Sequence, residues 1–457
     1  MVVVLPLFAG FISCAKLVQV AEPTASITTV ETFSTIANAT SAITGIYSSM
    51  SYYQQSQGYA NCLTTINCGM SADELLPYNF ISYFQINQLL PDGEVYSDFW
   101  APIYSDIYKS NAAIEGIQAS LSLPAATRNQ LTGEAKFIRA FGYFYLINLF
   151  GNVPLVTTSA WNKTSLLSRT PLDTVYNQII QDLIDAQHLL GDDYSFSGGE
   201  RIRANIWVAT ALLARVYLYK GDWANAEIQS TKVIDNSAMF SLVSELDSAF
   251  LKNNNEAIFQ LQLINQTPYA TNEGNQFVPY DSTSSPNYIL TPQLLAAFEP
   301  GDDRRKFWVD STDYSGTYYY YPYKYKVRQG TSGNIGEYYT LLRLAEQYLI
   351  RGEARAQQKT NLIGAIADID TIRKRAGLEV LPNTLDEPQI LQALAQENRI
   401  EFFAEWGHRW FDLKRTGQAD AVLAPIKSQW KSSAQLYPIP VVEIQVDPNL
   451  VQNPGYH

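Results

Sequence analysis

The chain has 457 residues, 46% of them hydrophobic and 17% charged, with 32 Lys+Arg against 44 Asp+Glu and a net charge of −12 at pH 7. That composition supports a large core and excludes a disordered chain, while a pI near 4.8 excludes nucleic acid or an anionic membrane surface as the main partner, since both call for a basic face. With 30 Tyr, 20 Phe and 8 Trp beside only 3 His and 3 Cys, flat amphipathic rings are plentiful and there is little raw material for metal or nucleophile chemistry. Length alone allows about two or three domains of about 100–200 residues each, unless a repeat makes one long unit.

Residues Val2 to Ser13 are twelve apolar or small residues in a row, too short to span a bilayer and of the length of a signal-peptide core. They end at Phe11-Ile12-Ser13-Cys14, which resembles a bacterial lipobox, so Cys14 is expected to carry the lipid anchor after removal of residues 1–13. Phe11 stands where Leu is usual, and no Lys or Arg precedes the run, as expected if translation starts further upstream. No later segment is long and apolar enough to span a membrane. Cys62 and Cys68, in NCLTTINCG, leave two readings open in an oxidising envelope: a local disulfide, or two buried free thiols. With no His or third Cys nearby, no metal site is expected there.

Next along the chain, residues 51–100 are rich in Tyr, Asn, Gln and Ser with little sustained period. From Gly133, Ala135, Ile138, Phe141, Tyr145 and Leu149 recur at helical steps, and Gly151 with Pro154 should end that helix. From Asn205, two antiparallel helices are predicted, with Gly221 capping the first and Asp222 starting the second. Ala214, Tyr217 and Ala226 match the small, aromatic and small positions of a tetratricopeptide repeat. Residues 237–340 carry turn signals such as DSTSSPN and PGDDRR. A further helix pair is expected over Leu341 to Gly377, and a last helix from near Glu387 through AQENRIEFFAEWGHRWFDLKRTG. The fold class expected is therefore all-α dominated, with minor β. Tetratricopeptide-like helix pairs (mainly 100–150, 172–235 and 340–420) form one scaffold, residues 14–457 make a single domain, and long loops at 51–100 and 237–340 form its ligand face.

Four blocks in order carry a family resemblance: GEAKFIRAFGYFYLINLFGNVPLV, LRLAEQYLIRGEARAQ with IADIDTIRKRAGL, QENRIEFFAEWGHRWFDLKRTG, and the terminal LYPIPVVEIQVDPNLVQNPGY. In these the chain resembles the SusD/RagB family, outer-membrane glycan-binding lipoproteins of Bacteroidetes. The resemblance implies a helical fold with a loop-built ligand face, attached to the outer membrane through its lipid and facing the cell surface. It also implies a non-catalytic role: capping a SusC-like TonB-dependent transporter and delivering oligosaccharide to it, with no cofactor. A peptide ligand, as in a protein-scavenging branch of the family, is the alternative.

Glu397, Glu401, Glu405 and Arg409 are expected to form an ion-pair ladder along the last helix rather than acid–base machinery, with Trp406, Trp410 and Phe411 in the core. Asn111 is expected to satisfy backbone groups at a helix contact. No H-E-x-x-H, P-loop, G-x-G-x-x-G or G-x-S-x-G occurs. The remaining enzymatic reading, a glycosidase, would draw its two carboxylates from Asp302 and Asp303 or from Asp192 and Asp193, and adjacent residues rarely aim both side chains at one bond.

A sugar ring has an apolar face and a hydroxyl edge, so stacking rings with nearby amides, carboxylates or Arg would hold it. The densest supply is Tyr314 to Tyr325, where seven of twelve residues are Tyr. In a strand, Tyr318 and Tyr320 would share one face and Tyr319 and Tyr321 the other. The candidate ligand residues are thus Tyr314, Tyr318, Tyr320, Trp308, Tyr280, Tyr288, Tyr52 and Tyr53, with Asp73, Asn287 and Arg328 as polar partners. The family's binding rings lie in variable loops outside the matched blocks, so none is assigned by motif.

Overall fold

The computed structural model describes residues 29–53, 56–263, 268–333 and 335–456; the expected leader, residues 1–13, and the expected lipid site Cys14 lie outside them. Apolar residues at helical spacing form helices where predicted. The 133–149 pattern sits in one helix, Ala125–Phe150, whose side chains are buried on nearly every face. Gly151 ends it at φ 73°, its N–H donating to the Ile147 carbonyl at 3.0 Å. That conformation suits a residue without Cβ. Ile206–Lys220 opens on Asn205, whose side chain accepts the Trp207 and Val208 N–H groups at 3.0 Å each. It closes on Gly221 at φ 76°, and the Asp222 carboxylate then accepts the Asn225 N–H at 3.3 Å to start Trp223–Asp235.

Consecutive long helices pack each on the next: Ile36–Ser51, Ala101–Ala119, Ala125–Phe150, Leu172–Leu189, Ile206–Lys220, Trp223–Asp235, Leu344–Gln358, Leu362–Arg375 and Glu387–Glu401. Such a stack buries one continuous core, as repeat scaffolds do. Its main cluster runs from Phe33 to Leu450, and a smaller one lies among the helices between Ala345 and Phe402. Asn111 ties two helices to the 152–160 loop as expected, accepting Arg139 Nη1 at 2.7 Å and donating to the Val156 carbonyl at 3.0 Å. Strands among the described residues make two-stranded antiparallel ladders only: Tyr52–Tyr53 with Ser56–Gln57, Leu75–Pro77 with Tyr288–Leu290, Ala257–Leu261 with Tyr339–Arg343, and Val309–Tyr314 with Thr317–Pro322.

The last predicted helix is broken. Glu387–Glu401 stops, and the chain turns through Ala404 (φ 49°), Trp406 (φ 50°) and Gly407 (φ 70°) before His408–Arg415 begins. Glu397, Glu401, Glu405 and Arg409 therefore form no ladder with one another. Glu401 is fully buried and accepts Arg343 Nη1 at 2.5 Å and Arg304 Nη1 at 3.0 Å, with Arg375 also against it. Burial opposes its charge, but these three guanidinium groups hold its carboxyl well below the usual range. Glu405 takes Lys324 and Arg343 at 2.5 and 2.9 Å. Trp406, Trp410 and Phe411 are buried, as predicted.

The local disulfide reading is corrected: Cys62 and Cys68 are buried free thiols. Cys68 Sγ lies 3.7 Å from the Tyr437 hydroxyl, and its Cβ sits 2.5 Å from where a Cβ on Gly407 would be. Cys68 thus faces the 407–437 segment.

Candidate ligand-binding ledge

Two inserted loops and a hairpin converge at one edge of the scaffold. Leu75–Pro77 pairs with Tyr288–Leu290, and the Tyr78 N–H extends the ladder to the Asn287 carbonyl at 2.9 Å. Val309–Tyr314 and Thr317–Pro322 form a hairpin in full register from Val309↔Pro322 to Tyr314↔Thr317. Its two-residue turn uses Ser315 at φ 54° and Gly316 at φ 79°, the left-handed pair that matches strand twist. The hairpin's second strand lies beside Tyr288–Leu290. Thr312 Oγ1 donates to the carbonyls of Ser282 and Ser284 at 3.1 and 3.2 Å, fastening the 281–287 loop to it.

Rings line this edge. Tyr78 sits edge-to-face with Tyr319 at 4.9 Å and with Tyr314 at 5.9 Å. Tyr288 meets Phe80 and Phe277 in the same way, each at 6.1 Å. Phe80 is 50% exposed, Tyr318 65% and Tyr280 76%, so three large rings of these loops and the hairpin are left wet. The hairpin alternates as predicted, with Tyr318 and Tyr320 on one face and Tyr319 and Tyr321 on the other. Arg328 organises the approach: its Nη1 donates to the carbonyls of Asn275 and Val278 at 2.7 and 2.5 Å, and its guanidinium lies 5.9 Å from the Tyr280 ring centroid. Asn287 is exposed beside the rings, and its amide donates to Gln276 Oε1 at 3.1 Å.

The structure thus brings Tyr288, Asn287 and Tyr314 to this edge, with Tyr280 and Arg328 on the loops that lead to it, while Tyr318 and Tyr320 stand on the hairpin's other face. It removes two other candidates. Trp308 is 0% exposed, its indole N–H donating to the Leu246 carbonyl at 2.9 Å and its ring packed on Phe250 at 5.6 Å. It precedes the hairpin at its buried base, where a large ring fills core. Asp73 is buried and takes Arg409 Nε and Arg399 Nη2 at 2.7 Å each. Burial would raise its pKa, but the bonds and charges of these two guanidinium groups hold the carboxyl below the ordinary value. Tyr52 is half-buried in a separate ladder and makes no ring contact with the ledge; the side chain of Tyr53 lies outside the described residues.

The glycosidase carboxylates are placed elsewhere. Asp302 is buried against Arg304 at 2.9 Å, and Asp193 accepts the Ser195 N–H at 2.9 Å in its own turn. Sequence reasoning missed Tyr78 and Phe80. Both follow Pro77 at the exit of a strand whose partner is over 200 residues away, and no local pattern marks that pairing. Among the described residues there is no group of His, Cys, Asp and Glu able to hold a metal, and no helix long and apolar enough to cross a membrane.

Fold and ledge together define a helical scaffold that displays rings on inserted loops. A family model described as starch-binding and associating with the outer membrane matches residues 16–218, and a model of the SusD family matches residues 309–456. SusD-like protein P2 of Formosa agariphila is 29% identical across 93% of this chain and 93% of its own length. Starch-binding protein SusD of Bacteroides thetaiotaomicron is 24% identical across 86% of this chain and 85% of its own. Among solved structures, a SusD superfamily protein of Bacteroides vulgatus superposes with a TM-score of 0.81 at 21% identity, covering 93% of this chain and all of that one (100%). A laminarin-binding SusD-like protein superposes at 0.76 with 24% identity, covering 92% and 99%. The chain belongs to the SusD/RagB family.

Proposed function

We propose that this protein is a non-catalytic glycan-binding lipoprotein, residues 14–457 forming one domain anchored through Cys14 in the outer membrane and facing the cell surface. It captures a polysaccharide or oligosaccharide and passes it to a SusC-like TonB-dependent transporter. The ring ledge carries this reading. Exposed Tyr and Phe faces stack on the C–H faces of sugars, while tyrosine hydroxyls, Asn287 and the loop carbonyls meet their hydroxyl edge. Tyr78, Tyr314, Tyr319, Tyr288 and Phe80 hold one another edge-to-face on or beside hydrogen-bonded ladders, so little ordering entropy is lost where they bind. The laminarin-binding neighbour and the starch-binding relative agree with a glycan rather than a peptide ligand.

The test is affinity electrophoresis and calorimetry of the full chain against a panel of polysaccharides and oligopeptides. Retardation by at least one glycan is expected; binding to oligopeptides with no glycan bound would overturn the reading. Co-purification of a barrel protein with the lipidated chain from detergent-solubilised outer membrane tests the transporter partnership. A Cys14→Ala form that stayed membrane-attached would disprove the anchor.

A further inference from the structure

Two arginines adjoin in Pro-Gly-Asp-Asp-Arg-Arg, and the fold gives them opposite surroundings. Arg304 is 1% exposed and satisfied by Asp302, Glu397 and Glu401. Arg305 is half-exposed, and its guanidinium lies 4.6 Å from the centroid of the Tyr320 ring. Among the described residues it is the one arginine whose guanidinium makes neither an ion pair nor a hydrogen bond; its backbone N–H donates to the Asp302 carbonyl at 3.1 Å. Acids outnumber bases in this chain, 44 to 32, so a guanidinium without a carboxylate is not the result of scarcity. Lys306 beside it is exposed and has no acidic partner among the described residues, resting over the Phe307 ring at 4.7 Å.

The ladder register puts Tyr320 on the same hairpin face as Tyr318, the more exposed of the two rings, and opposite the face where Tyr319 meets Tyr78. Alternate residues on a strand stand about 7 Å apart. One face therefore presents an open ring and, a short step along, a guanidinium over a second ring, its N–H donors without a partner among the described residues. Stacking restrains the side chain before anything binds, and the planar fork matches a carboxylate or sulfate oxygen pair.

We infer that this hairpin face is a subsite for a sugar residue carrying an anionic substituent, a carboxylate or a sulfate ester: Tyr318 stacks on the sugar while Arg305 takes the anion. The inference rests on the glycan-binding reading above. It also sets an orientation. Asp313 lies opposite Tyr318 on the same face, its Oδ1 accepting the Gly316 N–H at 2.9 Å, so the anionic group points down the hairpin toward Arg305, away from the turn.

The test pairs neutral and anionic forms of the same backbones in calorimetry with the full chain: dextran with dextran sulfate, and methyl-esterified with de-esterified polygalacturonate, alongside other such pairs. In at least one pair the anionic member should bind about tenfold or more tightly, the scale of a charge-assisted contact, and the preference should shrink with added salt. The pair that responds distinguishes sulfate from carboxylate. Arg305→Ala should reduce the preference to near unity and Arg305→Lys restore part of it, with unfolding midpoints unchanged because Arg305 belongs to no buried network. Equal affinities within every pair, or a preference that survives Arg305→Ala, would overturn the subsite and leave glycan binding standing. Failure of the unaltered chain to bind any polysaccharide would overturn the glycan reading and this inference with it.

Discussion

At the scale of single residues, aromatic excess resolves into two populations that composition cannot separate. Trp308 and Tyr78 are both rings beside turn-rich sequence, but one is enclosed and hydrogen-bonded and the other borders the ledge. Trp308→Ala should lower stability by about 3–5 kcal/mol, the cost of emptying a large aromatic site, read as a fall in the urea midpoint. Loss of glycan affinity without loss of stability would put Trp308 back among the ligand residues. Tyr78→Ala should do the reverse, weakening glycan binding about tenfold, or about 1.4 kcal/mol, while stability stays within about 1 kcal/mol. A stability loss matching that of Trp308→Ala would make Tyr78 a core ring. The density of Tyr near 314–325 was legible in the sequence. Which of them are wet was not, because exposure depends on partners distant in the chain, Phe250 at 5.2 Å from Tyr325 and Tyr78 at 4.9 Å from Tyr319.

At the scale of elements, the legible parts are those governed by neighbours in the chain. Gly221 and Asp222 end one helix and begin the next because caps act within a few residues. The break at 402–407 escaped because the periodicity of apolar and charged residues runs straight through it; distant Arg304, Arg343 and Lys324 decide where Glu401 and Glu405 must sit. The short Asn272–Phe277 helix that leads to Tyr280 holds another such group. Glu273 is buried, accepts the Tyr339 hydroxyl at 2.7 Å, and has its pKa pushed up to about 8, chiefly by burial and also by Glu405, against the lowering effects of Thr65, Tyr339 and Lys324. A carboxyl raised from 4.5 to about 8 is protonated in the folded chain at pH values where the unfolded chain has released its proton. Its stabilising effect is complete below the unfolded pKa and is lost as pH rises toward 8. Glu273→Gln should therefore show a flatter fall of melting temperature between about pH 5 and 8 than the unaltered protein. Parallel curves would mean that Glu273 is ionised in the folded state.

At the scale of the molecule, the question is whether the helical stack behaves as one body. The repeat spacing argues for a single scaffold, yet the core has a smaller satellite among the helices from Leu344 to Glu401, which a separable unit would also produce. The helix Leu344–Gln358 serves both clusters: Leu344, Ile350 and Ala354 face the main core, and Ala345, Leu349 and Ala356 the satellite. Leu242 and Tyr348 pack against both. Ion pairs cross as well, Arg304 reaching Glu397 and Glu401 from outside the satellite helices, and Arg343 reaching Glu401. Opening the satellite alone would strand these buried charges, at about 3–5 kcal/mol for each broken pair. At the far end, Tyr437 closes the chain onto its beginning, its N–H donating to the Leu149 carbonyl at 2.8 Å and its hydroxyl within 2.8 Å of Ser71 Oγ. Chains of this length often unfold in stages, so the expectation is a specific one. Calorimetry should show one transition with calorimetric and van't Hoff enthalpies in agreement, and a glycan ligand should move that whole transition upward because it binds only the folded state. Two resolved transitions, with only one shifted by glycan, would instead show that the satellite helices unfold independently of the ledge.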